Sequence, residues 1–389
     1  MTSILSHNIP TSILSHNIPS SIPTNTIPSS ILSYVISTRH ARLKTGGGDE
    51  KKVAFNEKRN NTLLPDDALA GLTSTTDECA EGIGHIPGTP CSSKKVISLI
   101  SKYMFNNPRV EIASKTISTY LPKSTSADSK IVRAAASQLG CSSESCVLAH
   151  NDLKQYIVNQ QQDVPSNILA LELVTRFKAP GPRNNTSLLS NFNIDETLQR
   201  WARVFQDFFP CPFAMMDFDH NGDYFGDADL PAILEGKKEA NLGASIGKIR
   251  RKFSCFGCVV NTDTSSGPGK HWVAVFVDCR PPPGKAWTVE YFNSVGKPPT
   301  KQITYWMEKT RKKLADYRTE RADCKNSVCD VIAVPVTDID HQESYTECGL
   351  YALFYIRRRL EGTDYSFFEN KIIPDSAMTT FRQHIFRVV

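Results

Sequence analysis

The chain has 389 residues, 40% hydrophobic and 9% aromatic, enough for one substantial core and a smaller companion domain. No stretch approaches the roughly 18 consecutive apolar residues that a membrane span needs, and the first residues lack a charged segment followed by an apolar one. This argues against both insertion and secretion. The net charge of +5 is mild, although basic residues cluster at Lys248, Arg250, Arg251 and Lys252 and again at Lys309, Arg311, Lys312 and Lys313. Such clusters attract nucleic acid through counterion release, but a solvated helix face is their commoner cause.

In chain order, the segment TSILSHNIP occurs at 2–10 and again at 11–19, too few copies for a solenoid and therefore low complexity. The chain stays polar to about Cys91, with three glycines at 46–48, so residues 1–90 read as a disordered extension. Val96, Ile97, Ile100 and Tyr103 then recur at helical spacing up to Pro108, and further helices are expected around 128–139 and 167–177. Residues 91–185 form a helical arm domain on this reading, closed by the breaker-rich APGPRNN at 179–185.

A second domain spans 186–389. Asp195 gives an acidic start to an amphipathic helix through Leu198, Trp201, Ala202 and Phe205. HWVAVFVD at 271–278 and WTVEYFN at 287–293, joined by a Pro/Gly turn, predict an antiparallel hairpin. Ile303, Trp306, Met307, Leu314 and Tyr317 mark a long helix with a basic outer face, and Val328–Val336 supplies another strand. Cys348–Leu360 is apolar on nearly all sides and predicts a buried helix. The fold class is α+β.

Eleven cysteines, an odd number with no secretory signal, predict free thiols in a reducing compartment and little use of disulfides. A free thiol can be a nucleophile, and thiol proteolysis needs an imidazole base, a group that orients it and donors for the oxyanion. Cys348 sits at the N-terminus of the buried helix, where amide N–H groups and the helix dipole favour a negative sulfur. His271 opens one hairpin strand and Asn293 closes the other, so both reach the same sheet end, and Asn can fix the imidazole tautomer. Gln342 lies six positions before Cys348, placed to donate to an oxyanion. Gly349 leaves room for a substrate backbone. Taken singly, each of these has a structural reading: a buried cysteine, a strand-end histidine, a loop glutamine.

Together, HW at 271–272, YFNS at 291–294 and QESYTECG at 342–349 resemble the SUMO-protease superfamily, which also contains adenovirus protease. The likeness covers roughly 190–389. Asn293 stands where cellular members usually carry Asp, and this resembles the branch found in African swine fever virus and other large cytoplasmic DNA viruses, which also has an N-terminal arm. Asp278 is the alternative third member. The segments LLSNFNID and PFAMMDFD are also similar to the start of these viral cores. The resemblance implies a mainly antiparallel sheet packed on helices, with the nucleophile at the N-terminus of a buried helix. It implies cleavage after Gly-Gly, because two glycines thread a tunnel that any Cβ would block, with Trp272 packed beside the site. Implied substrates are viral structural polyproteins with Gly-Gly-X sites, cut during virion maturation in the virion and the cytoplasmic viral factory.

No cofactor or metal is expected, and a monomer is. The DxDxNG at 217–222 opens like a calcium loop, but Ala228 stands where a bidentate Glu is required. The pairs Cys255/Cys258, Cys141/Cys146 and Cys324/Cys329 read as free thiols rather than zinc ligands. Gly46–Gly48 reads as linker, or as a self-cleavage site for a Gly-Gly protease. Two rival functions are removal of SUMO or a related modifier from proteins, and a non-catalytic scaffold that binds nucleic acid or virion proteins.

Overall fold

The computed structural model describes residues 61–387 apart from 73–76, 109–119, 161–162, 183–185, 220–224, 227, 238, 242–247, 251, 322–323 and 325–328; the N-terminal repeat and Gly46–Gly48 lie outside the described residues. Two hydrophobic cores organise the rest, one helical and one built on a sheet.

The chain begins with the short helix α1 (Pro65–Leu69), then enters the arm: α2 (Lys94–Asn106), α3 (Ala127–Leu139), α4 (Glu144–Ala149), α5 (Asn151–Gln160) and α6 (Ile168–Arg176). Ser93 caps α2 by accepting the Val96 N–H, and the apolar stripe Val96, Ile97, Ile100, Tyr103 is buried. Ser126 caps α3, which stops at Gly140, whose positive φ of 68° suits a residue without Cβ.

Residues 78–90, placed in the extension from sequence, are built into this arm. Glu78 accepts the N–H and hydroxyl of Ser145 at 3.0 and 2.8 Å, and Glu144 accepts the N–H groups of Cys91 and Ser92, each at 2.9 Å. These bonds join residues more than fifty positions apart, so no local pattern announces them. Residues 62–72 lie instead on the sheet core: Leu63 N–H donates to the Ile372 carbonyl, and Ala68 and Leu69 are buried.

The cysteine expectation also needs correcting. Cys79–Cys91, Cys141–Cys146 and Cys324–Cys329 are disulfides, whereas Cys211, Cys255, Cys258, Cys279 and Cys348 are free and buried. Compartment arguments concern average redox poise, while pairing here follows from thiols that the fold places in contact.

β1 (Ala179–Pro180) leads into the sheet-built half, through α7 (Asn191–Val204), β2 (Phe208–Pro210), β3 (Ala214–Met215), α8 (Leu230–Leu234) and the hairpin β4 (Glu239–Asn241) and β5 (Lys248–Arg250). α7 starts earlier than expected, at a capping box between Ser190 and Asn193; Asp195 instead accepts the Phe213 N–H at 2.7 Å. The sheet follows, with β6 (Cys255–Asn261), β7 (Trp272–Asp278), β8 (Trp287–Phe292) and, after α9 (Lys301–Thr319), β9 (Val331–Val336), in the order β2-β6-β7-β8-β9 with β3 also on β6. The three central strands are antiparallel, but β2, β3 and β9 join in parallel, so the sheet is mixed.

α10 (Cys348–Leu360) crosses the sheet, with every residue except Arg358 buried. α11 (Ser366–Asn370), α12 (Asp375–Ile385) and β10 (Phe386–Arg387) complete the chain, and β10 pairs with β1 in parallel. Among the described residues no helix is long and apolar enough to cross a membrane.

Candidate active site

The register of β7 on β8, from Ala274↔Phe292 to Asp278↔Thr288, brings the residue before β7 and the residue after β8 to one end of the sheet. There His271 Nε2 lies 2.8 Å from Asn293 Oδ1. The other partners of this carboxamide fix its orientation: Nδ2 donates to the Lys297 carbonyl at 3.2 Å and the Tyr291 hydroxyl at 3.0 Å, and Oδ1 accepts the Val295 N–H at 3.2 Å. A carbonyl only accepts and an amide N–H only donates, so an oxygen faces the ring. Nε2 must therefore carry the proton of the neutral imidazole, leaving the Nδ1 lone pair as a base. Burial holds the His271 pKa below its usual value, against the Asn293 bond, and the nearby Lys297 charge lowers it further.

Cys348 is the first residue of α10 and is 4% exposed. Burial pushes its thiol above the ordinary value, outweighing the N–H groups of Trp272, Gly349 and Cys348 itself, which favour the thiolate. The helix position acts in the expected direction, but desolvation of the sulfur is larger. Both shifts favour the neutral thiol–imidazole pair over the thiolate–imidazolium pair. The Trp272 N–H contact sets the sulfur against the residue that follows His271.

Gln342 is also oriented by its partners. Its Oε1 accepts the Ser294 hydroxyl at 2.7 Å and its Nε2 donates to the Ser344 carbonyl at 2.8 Å, which leaves a second Nε2 hydrogen. The loop is anchored from α12: Asp375 Oδ2 accepts the N–H groups of Glu343 and Ser344 at 3.2 and 2.8 Å, and Oδ1 accepts the Tyr351 hydroxyl at 2.9 Å.

Trp272 forms one wall, donating its indole N–H to the Leu189 carbonyl at 3.2 Å with its ring edge-on to Phe213. A Cβ on Gly349 would lie 3.1 Å from Leu189 Cβ and 3.3 Å from Trp272 Cδ1. The missing side chain thus faces this wall rather than open space, and the glycine is what lets Leu189, Trp272 and α10 meet.

His271, Trp272, Asn293, Gln342, Cys348 and Gly349 therefore come together. Asp278 does not join them: it sits at the far end of β7, roughly 20 Å along a strand rising about 3.3 Å per residue, and pairs with Arg280 at 2.8 Å and Arg359 at 3.1 Å. Asp217 of the DxDxNG accepts the Ser265 N–H and hydroxyl, and 220–224 lie outside the described residues. Asp77, Cys79 and His85 are the grouping of metal-ligand type among the described residues, and the Cys79 sulfur there is already in a disulfide. The partners Ser294, Tyr291 and Leu189 had no assigned role from sequence, although Ser294 closes the YFNS motif beside Asn293.

A buried thiol at a helix N-terminus, an imidazole whose tautomer is set by a carboxamide, and a nearby amide donor are the parts of a cysteine-type peptidase site. Residues 258–388 match the Ulp1 protease family, C-terminal catalytic domain, a segment that contains all six residues. The chain is 42% identical over 321 residues to a cysteine protease of African swine fever virus from a Malawian tick isolate, covering 82% of this chain and 98% of the relative. It is 40% identical over 320 residues to the protein named SUMO-1 cysteine protease in a South African tick isolate of the same virus, with the same coverage of 82% and 98%. The crystal structure of the African swine fever virus pS273R protease matches with a TM-score of 0.64 at 39% identity, covering 82% of this chain and 99% of that one. The chain belongs to the Ulp1 protease family and is a cysteine protease.

Proposed function

We propose that this enzyme cleaves after Gly-Gly in viral structural polyproteins during virion maturation, with Cys348 as nucleophile. The His271–Asn293 bond is the observation that carries this reading, because it leaves the Nδ1 lone pair as a base for Cys348, whose sulfur lies against the N–H of the residue after His271. His271 takes the thiol proton as sulfur attacks the carbonyl, and Gln342 and the Cys348 N–H receive the oxyanion. His271 then protonates the leaving amine, and water hydrolyses the acyl-enzyme. The viral source of the relatives supports action in the viral factory and virion, which localisation of tagged enzyme in infected cells tests.

The test is incubation of wild type and Cys348→Ala with a Gly-Gly-X polyprotein fragment, reading products by mass spectrometry. Cleavage after the second glycine by wild type alone is expected; cleavage elsewhere, or equally by both, would refute the reading. A deconjugating activity is a second reading, favoured by the relative named as a SUMO-1 protease. It predicts turnover of folded modifier adducts in place of the short peptide. Lys309, Lys312 and Lys313 are exposed on α9 and are the described basic face for nucleic acid, whereas the side chains of 248–250 and all of 251 lie outside the described residues. Loss of salt-sensitive DNA binding in a charge-reversed α9 tests that partner.

A further inference from the structure

We infer that Ser294 is a positioning residue for catalysis, holding the Gln342 carboxamide with its N–H group rather than its carbonyl toward the oxyanion. The inference rests on Gln342 being an oxyanion donor, as proposed above. A free carboxamide has two nearly isosteric orientations, and turning it over would present an oxygen to the developing negative charge. Something must choose between them before substrate arrives.

Two bonds make that choice. Ser294 Oγ–H donates to Gln342 Oε1 at 2.7 Å, and Gln342 Nε2 donates to the Ser344 carbonyl at 2.8 Å. In the flipped amide the Ser344 contact would fail, an oxygen facing a carbonyl, and the Ser294 hydroxyl would accept from the NH2 while its own buried proton lost the acceptor it now has. Ser344 favours the correct side through its carbonyl, and Ser294 adds to it through a buried hydroxyl proton: Ser294 is 1% exposed, so leaving that proton without an acceptor is costly. Ser294 also fixes the main chain of the same loop, because its carbonyl accepts the N–H groups of His341 at 2.7 Å and Gln342 at 3.0 Å. Those two bonds use backbone and survive substitution of the side chain, so the hydroxyl can be tested by itself.

Ser294 directly follows Asn293. One dipeptide at the end of β8 therefore sets both switchable groups of the site, the imidazole tautomer through Asn293 and the amide orientation through Ser294. The base and the oxyanion donor are thus both held from the same piece of backbone.

The experiment compares Ser294→Ala, Ser294→Thr, Gln342→Ala and the double variant Ser294→Ala/Gln342→Ala with wild type. The readouts are kcat and KM on a cleavable peptide, iodoacetamide alkylation of Cys348, and thermal unfolding. Removing one oxyanion donor costs about a hundredfold or more in kcat, so Ser294→Ala should lose about tenfold to a hundredfold with KM nearly unchanged. Alkylation builds no oxyanion and should proceed at the wild-type rate, which also reports an intact folded site. Ser294→Thr, which keeps the hydroxyl, should recover most of the loss. In the Gln342→Ala background the serine substitution should cost less than about twofold, since nothing remains to position. A Ser294→Ala enzyme with wild-type kcat beside an impaired Gln342→Ala would overturn the inference and leave the oxyanion role standing. An equal loss in both backgrounds would overturn it in favour of a structural role. Full activity of Gln342→Ala would remove the oxyanion role and this inference together.

Discussion

Replacing Asn293 by Asp changes the charge beside the base while keeping its shape. The new carboxylate oxygen would face His271 Nε2 at the present 2.8 Å, where an opposite charge typically raises an imidazole pKa by about one to three units. Each unit is tenfold in the equilibrium between the thiol–imidazole and thiolate–imidazolium pairs. Wild type starts on the neutral side, because burial lowers His271 and raises Cys348. The opposing cost is also visible: where Nδ2 now donates to the Lys297 carbonyl at 3.2 Å, the variant places an oxygen. That contact should reduce stability by about 1–3 kcal/mol. Tyr291 softens it, since burial raises its hydroxyl pKa to about 12 and the O–H can turn to donate to the new oxygen. Alkylation of Cys348 by iodoacetamide at pH 6 to 7, with Cys348→Ala as the blank, should therefore accelerate by about tenfold or more. An unchanged or slower rate would show that wild type already rests as the ion pair, and would refute the neutral-pair assignment.

Gly349→Ala puts a Cβ 3.1 Å from Leu189 Cβ and should destabilise by about 1–3 kcal/mol in urea unfolding; Leu189→Ala in the same chain should recover part of that loss, and additive losses would count against the wall described here. Burial lowers His341 to about 4, while the unfolded chain titrates near 6.5. Stability should thus fall from about pH 6.5 toward pH 4 by about 1.4 kcal/mol per unit, roughly 3 kcal/mol in all, and His341→Gln should remove one proton from that slope; coincident slopes would contradict it. Arg318 donates to the carbonyls of Asp330 and Lys285 at 2.6 and 2.7 Å and lies 4.4 Å from the Trp287 ring centre. Arg318→Met should cost about 3 kcal/mol or more, and a loss under about 1 kcal/mol would mean that water replaces those bonds.

The parts of this fold that were legible in the sequence are those whose signal is local. α10 was readable from its unbroken apolar run, and the β7–β8 hairpin from two β-branched runs around a Pro/Gly turn, with Asn293 at the end of one and His271 at the start of the other. What stayed hidden depends on partners distant in sequence. Periodicity describes which face of a strand is buried but not its neighbour's direction, so the parallel flanks formed by β2 and β9 could not be read. The polar stretch around Glu78 is indistinguishable from disorder until Ser145, 67 positions later, donates to its carboxylate. Only half of what sets the Cys348 pKa could be read for a related reason: the helix N-terminus is written in the sequence, whereas the burial that outweighs it belongs to the assembled core.

The three arginines that close α10 show how arm and active site share one framework. At the C-terminus they complement the helix dipole, and each also reaches a different part of the chain. Arg357 pairs with Glu81 of the arm at 2.7 Å and with Glu361, while Arg358 donates to the Ala70 carbonyl in the N-terminal segment at 2.8 Å. Arg359 bonds Glu290 of β8 at 2.7 and 2.8 Å and Asp278 of β7 at 3.1 Å. The helix is a rigid rod of 13 residues, about 20 Å long, with Cys348 at the opposite end from these anchors. Where Cys348 sits is therefore set from both ends: by the Trp272–Leu189 wall at one, and by joints to the sheet, the arm and the N-terminal segment at the other. A catalytic half cut away at residue 186 would keep every residue of the active site but lose Glu81 and the Ala70 carbonyl, and with them two of the contacts that fix the rod carrying Cys348.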